Sequence, residues 1–72
     1  MDPINDVNRL CPCWIIMNDG SRHRCDAPVG LSGNLANPMY SFLSGTTQQS
    51  VQWGQISAFE SIANPADRIA VR

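Results

Sequence analysis

Four side chains capable of metal or nucleophile chemistry fall within a short span of this sequence: Cys11, Cys13, His23 and Cys25. Three thiolates and an imidazole make up the ligand set of a tetrahedral structural zinc site. Whether they meet depends on the chain between them. Asp19-Gly20 is the strongest kind of two-residue hairpin signal, set between Cys13-Trp14-Ile15-Ile16-Met17 and Ser21-Arg22-His23-Arg24-Cys25. A two-residue loop there sets Ile16 opposite His23 and Trp14 opposite Cys25. His23 and Cys25 then share one face, while Cys13, followed by Cys11, points to the other. That register keeps the thiols apart and predicts free thiols with no metal and no other cofactor. An odd number of cysteines agrees, because three cannot close a disulfide framework and suit a reducing compartment.

Nucleophilic catalysis needs a thiol or hydroxyl beside a base that is itself oriented. The single histidine, His23, stands two residues from Cys25, roughly 6–7 Å away at strand rise and beyond hydrogen-bond reach. No Gly-x-Ser-x-Gly elbow, paired carboxylates or glycine-rich phosphate loop is present. The chain therefore reads as non-enzymatic. Arg22 and Arg24 flank His23 and share a strand face, where planar guanidiniums can grip phosphate or stack on a base. Among the five aromatic residues, Tyr40 and Trp53 are the candidates for stacking on RNA bases. The wider charge pattern gives them little support: five arginines and no lysine against six carboxylates, for a net charge of −1, make no broad basic face.

The elements that position these residues read as one small domain, at 72 residues, 43% hydrophobic and 15% charged. Asp2-Pro3 caps a short amphipathic helix over residues 1–11, with Ile4, Val7 and Leu10 on one stripe and Pro12 beyond its end. After the first hairpin, residues 27–38 hold two prolines, two glycines and two asparagines and read as a long loop, in which Leu31 and Leu35 can pack one helical turn. Met39–Leu43 reads as a third strand, Ser50–Trp53 as a fourth and Ile56–Ile62 as a fifth. Asn64-Pro65-Ala66-Asp67 starts a last helical turn in a C-terminal tail, residues 63–72. The predicted fold is mainly β: a short helix, then a five-stranded, strongly bent antiparallel sheet closing into a small barrel over 13–62. Apolar runs of about four residues are too short to cross a bilayer or to form a signal-peptide core, so the chain is expected in the cytoplasm.

Taken together, the Asp2-Pro3 helix, Pro12, Ile15-Ile16-Met17-Asn18-Asp19-Gly20 and Gln49-Ser50-Val51-Gln52-Trp53-Gly54-Gln55-Ile56-Ser57 resemble the Sm-like fold, in particular its bacterial Hfq branch. That resemblance implies a ring-forming, non-enzymatic protein that binds single-stranded RNA in RNA regulation or chaperoning. The basic residue and histidine with which that branch grips uridine-rich RNA are replaced here by Trp53 and Gly54, so no site residues carry over. Open strand edges and a thin core favour ring assembly, with the strand containing Ser50, Val51, Gln52 and Trp53 pairing with a neighbour's Ile56, Ala58 and Glu60. A looser likeness to small Rho-binding antitermination proteins rests on Pro3-Ile4, Asp19-Gly20, Ile56 and Phe59. It implies the alternative of a regulator that docks a host protein, with Val29, Leu31 and Leu35 as anchors.

Overall fold

The computed structural model describes residues 7, 9–34 and 36–71. The described residues form seven strands: β1 (Cys13–Met17), β2 (Arg22–Cys25), β3 (Ala27–Ser32), β4 (Met39–Ser44), β5 (Thr47–Gln52), β6 (Ile56–Ser61) and β7 (Arg68–Ala70). A 3-10 turn, Trp53–Gln55, separates β5 from β6. These strands make two antiparallel sheets, ordered β2-β1-β6-β7 and β3-β4-β5, which do not close into the expected barrel. The helix expected over residues 1–11 lies largely outside the described residues; Val7, Arg9 and Leu10 are helical, and Cys11 N–H donates to Val7 O at 3.1 Å.

The core lies between the sheets. Cys13, Ile15 and Cys25 enter it from one side and Tyr40 and Phe42 from the other, with Ile56, Phe59 and Val7 completing it. Alternation explains most of this: Cys13 and Ile15, or Tyr40 and Phe42, stand two apart and so point the same way. A bulge where Ile16 pairs with Ala58 but Met17 pairs with Ile56 leaves Ser57 as the extra residue of β6.

Asp26 alone joins β2 to β3, and it turns the chain from one sheet to the other. Its N–H donates to Leu43 O at 2.7 Å. Its carboxylate accepts from Gly45 N–H and from Arg24 Nε, the latter at 3.0 Å. Those donors hold the carboxyl below its usual range, with the Gly45 amide as the largest cause.

Two stretches depart from the sequence reading. Residues 27–32 are strand rather than loop, because β3 sits at a sheet edge, where a proline forfeits no ladder bond on its open side. Its register shifts between Pro28 and Gly30, leaving Val29 bulged. At the other end, Asp67 N–H donates to Asn64 O in a tight turn rather than a helix start, and β7 then pairs with β6 instead of trailing as a tail.

The first hairpin closes over three residues, Asn18-Asp19-Gly20. Met17 N–H donates to Ser21 O at 2.8 Å and Gly20 N–H to Met17 O at 3.0 Å. Gly20 has φ +90°, the left-handed residue that ends such a loop, with open space where a Cβ would stand. The Asp19 carboxylate accepts from both Ser21 N–H and Ser21 Oγ, at 2.9 and 2.6 Å.

Two outcomes follow. Gly20→Ala is expected to lower stability by about 1–2 kcal/mol, a backbone cost with no clash to add to it; equal urea midpoints for the two proteins would contradict the turn. For Asp26, a depressed folded pKa means that its stabilisation is present above the ordinary carboxylate range and is lost as pH falls through it. Asp26→Asn should therefore flatten part of the stability loss between roughly pH 5 and 3, and an unchanged pH profile would contradict the corner.

Candidate functional site

A three-residue turn shifts the hairpin by one position from the two-residue reading. Cys13 now faces Cys25, Trp14 faces Arg24, Ile15 faces His23 and Ile16 faces Arg22. Directly opposed residues share a face, so both thiols enter the core together, and neither has exposed surface. Cys11 precedes the strand and is not bound by its alternation. Held by the turn from Val7 on one side and by Ile62 N–H to Pro12 O on the other, it brings its sulfur 3.9 Å from Cys13 Sγ and 3.8 Å from Cys25 Sγ. All three sulfurs lie within 4.8 Å of one another, and all three are free thiols. The expected separation of Cys11 and Cys13 from Cys25 is thus corrected by the turn length.

The cluster is electrostatically uneven. Cys11 is half-buried, and once ionised its sulfur can accept from the thiols of Cys13 and Cys25, which shifts its ionisation well below the ordinary thiol range. The same bonds, with burial, push Cys13 and Cys25 up. Tyr40 stands beside Cys25 with a fully buried ring, its phenol pushed up chiefly by burial. Its Oη is buried and makes no hydrogen bond of ordinary geometry, the Cys25 sulfur being a looser partner. His23 does not join the thiols: its ring packs against Phe42, with centroids 6.2 Å apart. The sequence did hold a signal for the cluster, since Asn-Asp-Gly equally suits a three-residue loop ending in a left-handed glycine.

The residues proposed for RNA do not converge. Arg22 and Arg24 are exposed on β2, but Arg24 is paired with Asp26 at 3.0 Å. Tyr40 lies in the core, stacked on Phe42 at 6.0 Å and edge-on to Phe59 at 5.6 Å. Trp53 is half-buried against Tyr40 at 5.6 Å and Phe59 at 6.0 Å, within the 3-10 turn rather than on a strand. On β5, Ser50 and Gln52 are exposed and Val51 is half-buried; on β6, Ile56 and Ala58 are buried, and Glu60 meets Arg68 at 3.7 Å. Since β6 lies between β1 and β7, a neighbour's strand could pair with it only after β7 had left. Val29 and Leu31 are exposed on β3, and Leu35 is outside the described residues. No helix among the described residues is long and apolar enough to cross a membrane.

Comparison with protein-family models, with curated proteins and with solved structures finds no match to this chain.

In the reduced protein, iodoacetamide should modify Cys11 first, with a rate that reaches half its maximum at a pH well below the ordinary thiol value. Cys13 and Cys25 should react only on unfolding. Peptide mapping by mass spectrometry reads this, and equal modification of all three in the folded protein would contradict the geometry.

Proposed function

We propose that this chain is a non-enzymatic binding module of the reducing cytoplasm that holds a protein partner along the open edge of β3. The observation that carries the reading is the pair Val29 and Leu31, 50% and 43% exposed, on a strand with a neighbour on one side only. Such an edge offers unpaired backbone groups to an extended segment of a partner, and the two apolar side chains select what lies against it. The edges at β2 and β7 are less receptive: one carries Arg22 and Arg24, and the other is three residues long and begins with Arg68. Pro28 and the bulge at Val29 shorten the pairing stretch on β3, which favours a matched segment over indiscriminate aggregation.

A Sm-like ring that binds single-stranded RNA is the second reading. It is favoured by β5, a six-residue polar edge without charge, proline or bulge, and by the exposed Arg22. The order of a first hairpin, a second strand turning at Asp26, a further hairpin and a last long strand beside the first also fits a bent Sm-like sheet. With two cations per subunit, Arg22 and Arg24, RNA binding would carry a log–log salt slope of only about −1.4 per subunit.

The two readings part in one experiment, recovery on the tagged full-length chain from host lysate with and without nuclease. The edge reading expects a stoichiometric protein that survives nuclease and whose affinity drops at least about tenfold on V29S/L31S, the loss of roughly 1.4 kcal/mol of apolar burial. Adding that purified protein should slow amide exchange along β3. Nuclease-sensitive RNA that is retained by V29S/L31S and lost by Arg22→Ala would overturn it in favour of the ring.

A further inference from the structure

We propose that Cys11, Cys13 and Cys25 form a three-thiolate site for one thiophilic d10 cation, Zn2+ or Cu+, at the seam between the N-terminal turn and the first hairpin. The spacing of the sulfurs is the first ground. An ion about 2.3 Å from each sulfur spreads its ligands about 3.8 Å apart if tetrahedral and about 4.0 Å apart if trigonal. Cys11 stands 3.8 and 3.9 Å from the other two sulfurs, and Cys13 and Cys25 lie within 4.8 Å of each other, so a small inward movement of that pair completes the set. Hard cations have no place among thiols alone, whereas sulfur donors select Cu+ and Zn2+.

Tyr40 supplies the second ground. Its hydroxyl is buried beside the Cys25 sulfur and makes no hydrogen bond of ordinary geometry, in a core where a poorly matched polar atom costs stability. A thiolate held by a cation is a strong acceptor for that O–H. Metal ligands are commonly oriented by an outer donor of this kind. The loose contact of Tyr40 with Cys25 would thus become a strong hydrogen bond in the ion-bound state.

Chemically, each bound ion displaces to solvent the protons still held by the Cys13 and Cys25 thiols, leaves the sulfurs at their reduced level and needs no oxidant. Entry lies on the side of Cys11, the half-buried member. Among the described residues no fourth side chain joins the group. Cu+ needs none in a trigonal site, and Zn2+ would take a solvent molecule or exogenous ligand as its fourth. The bound ion would tie the segment before β1 to β1 and β2, a useful anchor in a 72-residue domain with a thin core.

The test uses the full-length, reduced, metal-free protein. In one arm Co2+, as a spectroscopic stand-in, is titrated and displaced by Zn2+; in the other, Cu+ is added without oxygen. The expected result in at least one arm is one ion per chain, release near neutral pH of close to two protons, those of Cys13 and Cys25, and loss of the alkylation of Cys11, with the tighter arm identifying the ion. Cys11→Ala, which alters the half-exposed member and spares the buried pair, should weaken binding at least tenfold in a protein that still folds by circular dichroism. Tyr40→Phe guards against a purely structural explanation. Because the lost hydroxyl makes no hydrogen bond of ordinary geometry in the apo protein, that form should be about as stable as wild type, yet ion affinity should fall about tenfold. Failure of both arms to reach one ion per chain overturns the proposal. So does affinity unchanged by Cys11→Ala, or a Tyr40→Phe protein that binds as wild type does.

Discussion

The loop Asn18-Asp19-Gly20 closes the first hairpin over three residues, and the facing of every residue on β1 and β2 follows from that count. Because strand side chains alternate with a period of two, adding one residue to the turn exchanges which side chains meet across the pair. Cys13 then stands opposite Cys25, and Ile15 opposite His23. The left-handed Gly20 makes the longer loop favourable, and the Asp19 carboxylate, bonded twice to Ser21, fixes its exit. Asn18 then locks the loop to the far side of the fold, its N–H on Gln55 O at 2.8 Å and its Nδ2 on Gly54 O at 3.1 Å. The turn thus sets the hairpin register and also docks the 3-10 turn that leads into β6.

The second constraint is the single residue between β2 and β3. A one-residue corner cannot carry its own hydrogen-bonding partners, so Asp26 reaches across to Leu43 and Gly45 at the end of β4. Arg24 supports the same carboxylate from β2, which gives that arginine a role in the fold before any role in binding. With both sheets joined there, the aromatic rings of β4 are driven into the space above β1 and β2. Tyr40 and Phe42 are buried as a consequence, and the Tyr40 hydroxyl ends beside the sulfurs.

Much of the fold was legible because the strands carry strong local patterns. Trp14-Ile15-Ile16 and Tyr40-Ser41-Phe42 are aromatic and β-branched enough that β1 and β4 can be read to within a residue. β3 was hidden, since Pro28 and Gly30 are breakers in general but acceptable at an edge, and edge position is a property of the whole sheet. β7 was hidden for a similar reason: three residues carry no periodicity, and only the exposed flank of β6 recruits them. Closure into a barrel could not be read from strands alone, because it depends on how the two sheets meet. The candidate site was legible in its residue types but not in its geometry. Asp-Gly pointed to a hairpin, yet loop length decided the facing, and Cys11 lies where the chain bends rather than on a strand. For Tyr40 the sequence does carry a signal of burial, since a residue two positions from the apolar Phe42 on the same strand shares its buried face.

The register of the first hairpin is therefore the claim on which the fold, the thiol cluster and the placement of Tyr40 all rest. Cross-strand backbone proton contacts in the NMR spectrum of the reduced protein measure it directly. Contacts pairing Cys13 with Cys25 and Ile15 with His23 are expected. Contacts pairing Trp14 with Cys25 and Ile16 with His23, the pattern of a two-residue Asp19-Gly20 loop, would contradict it.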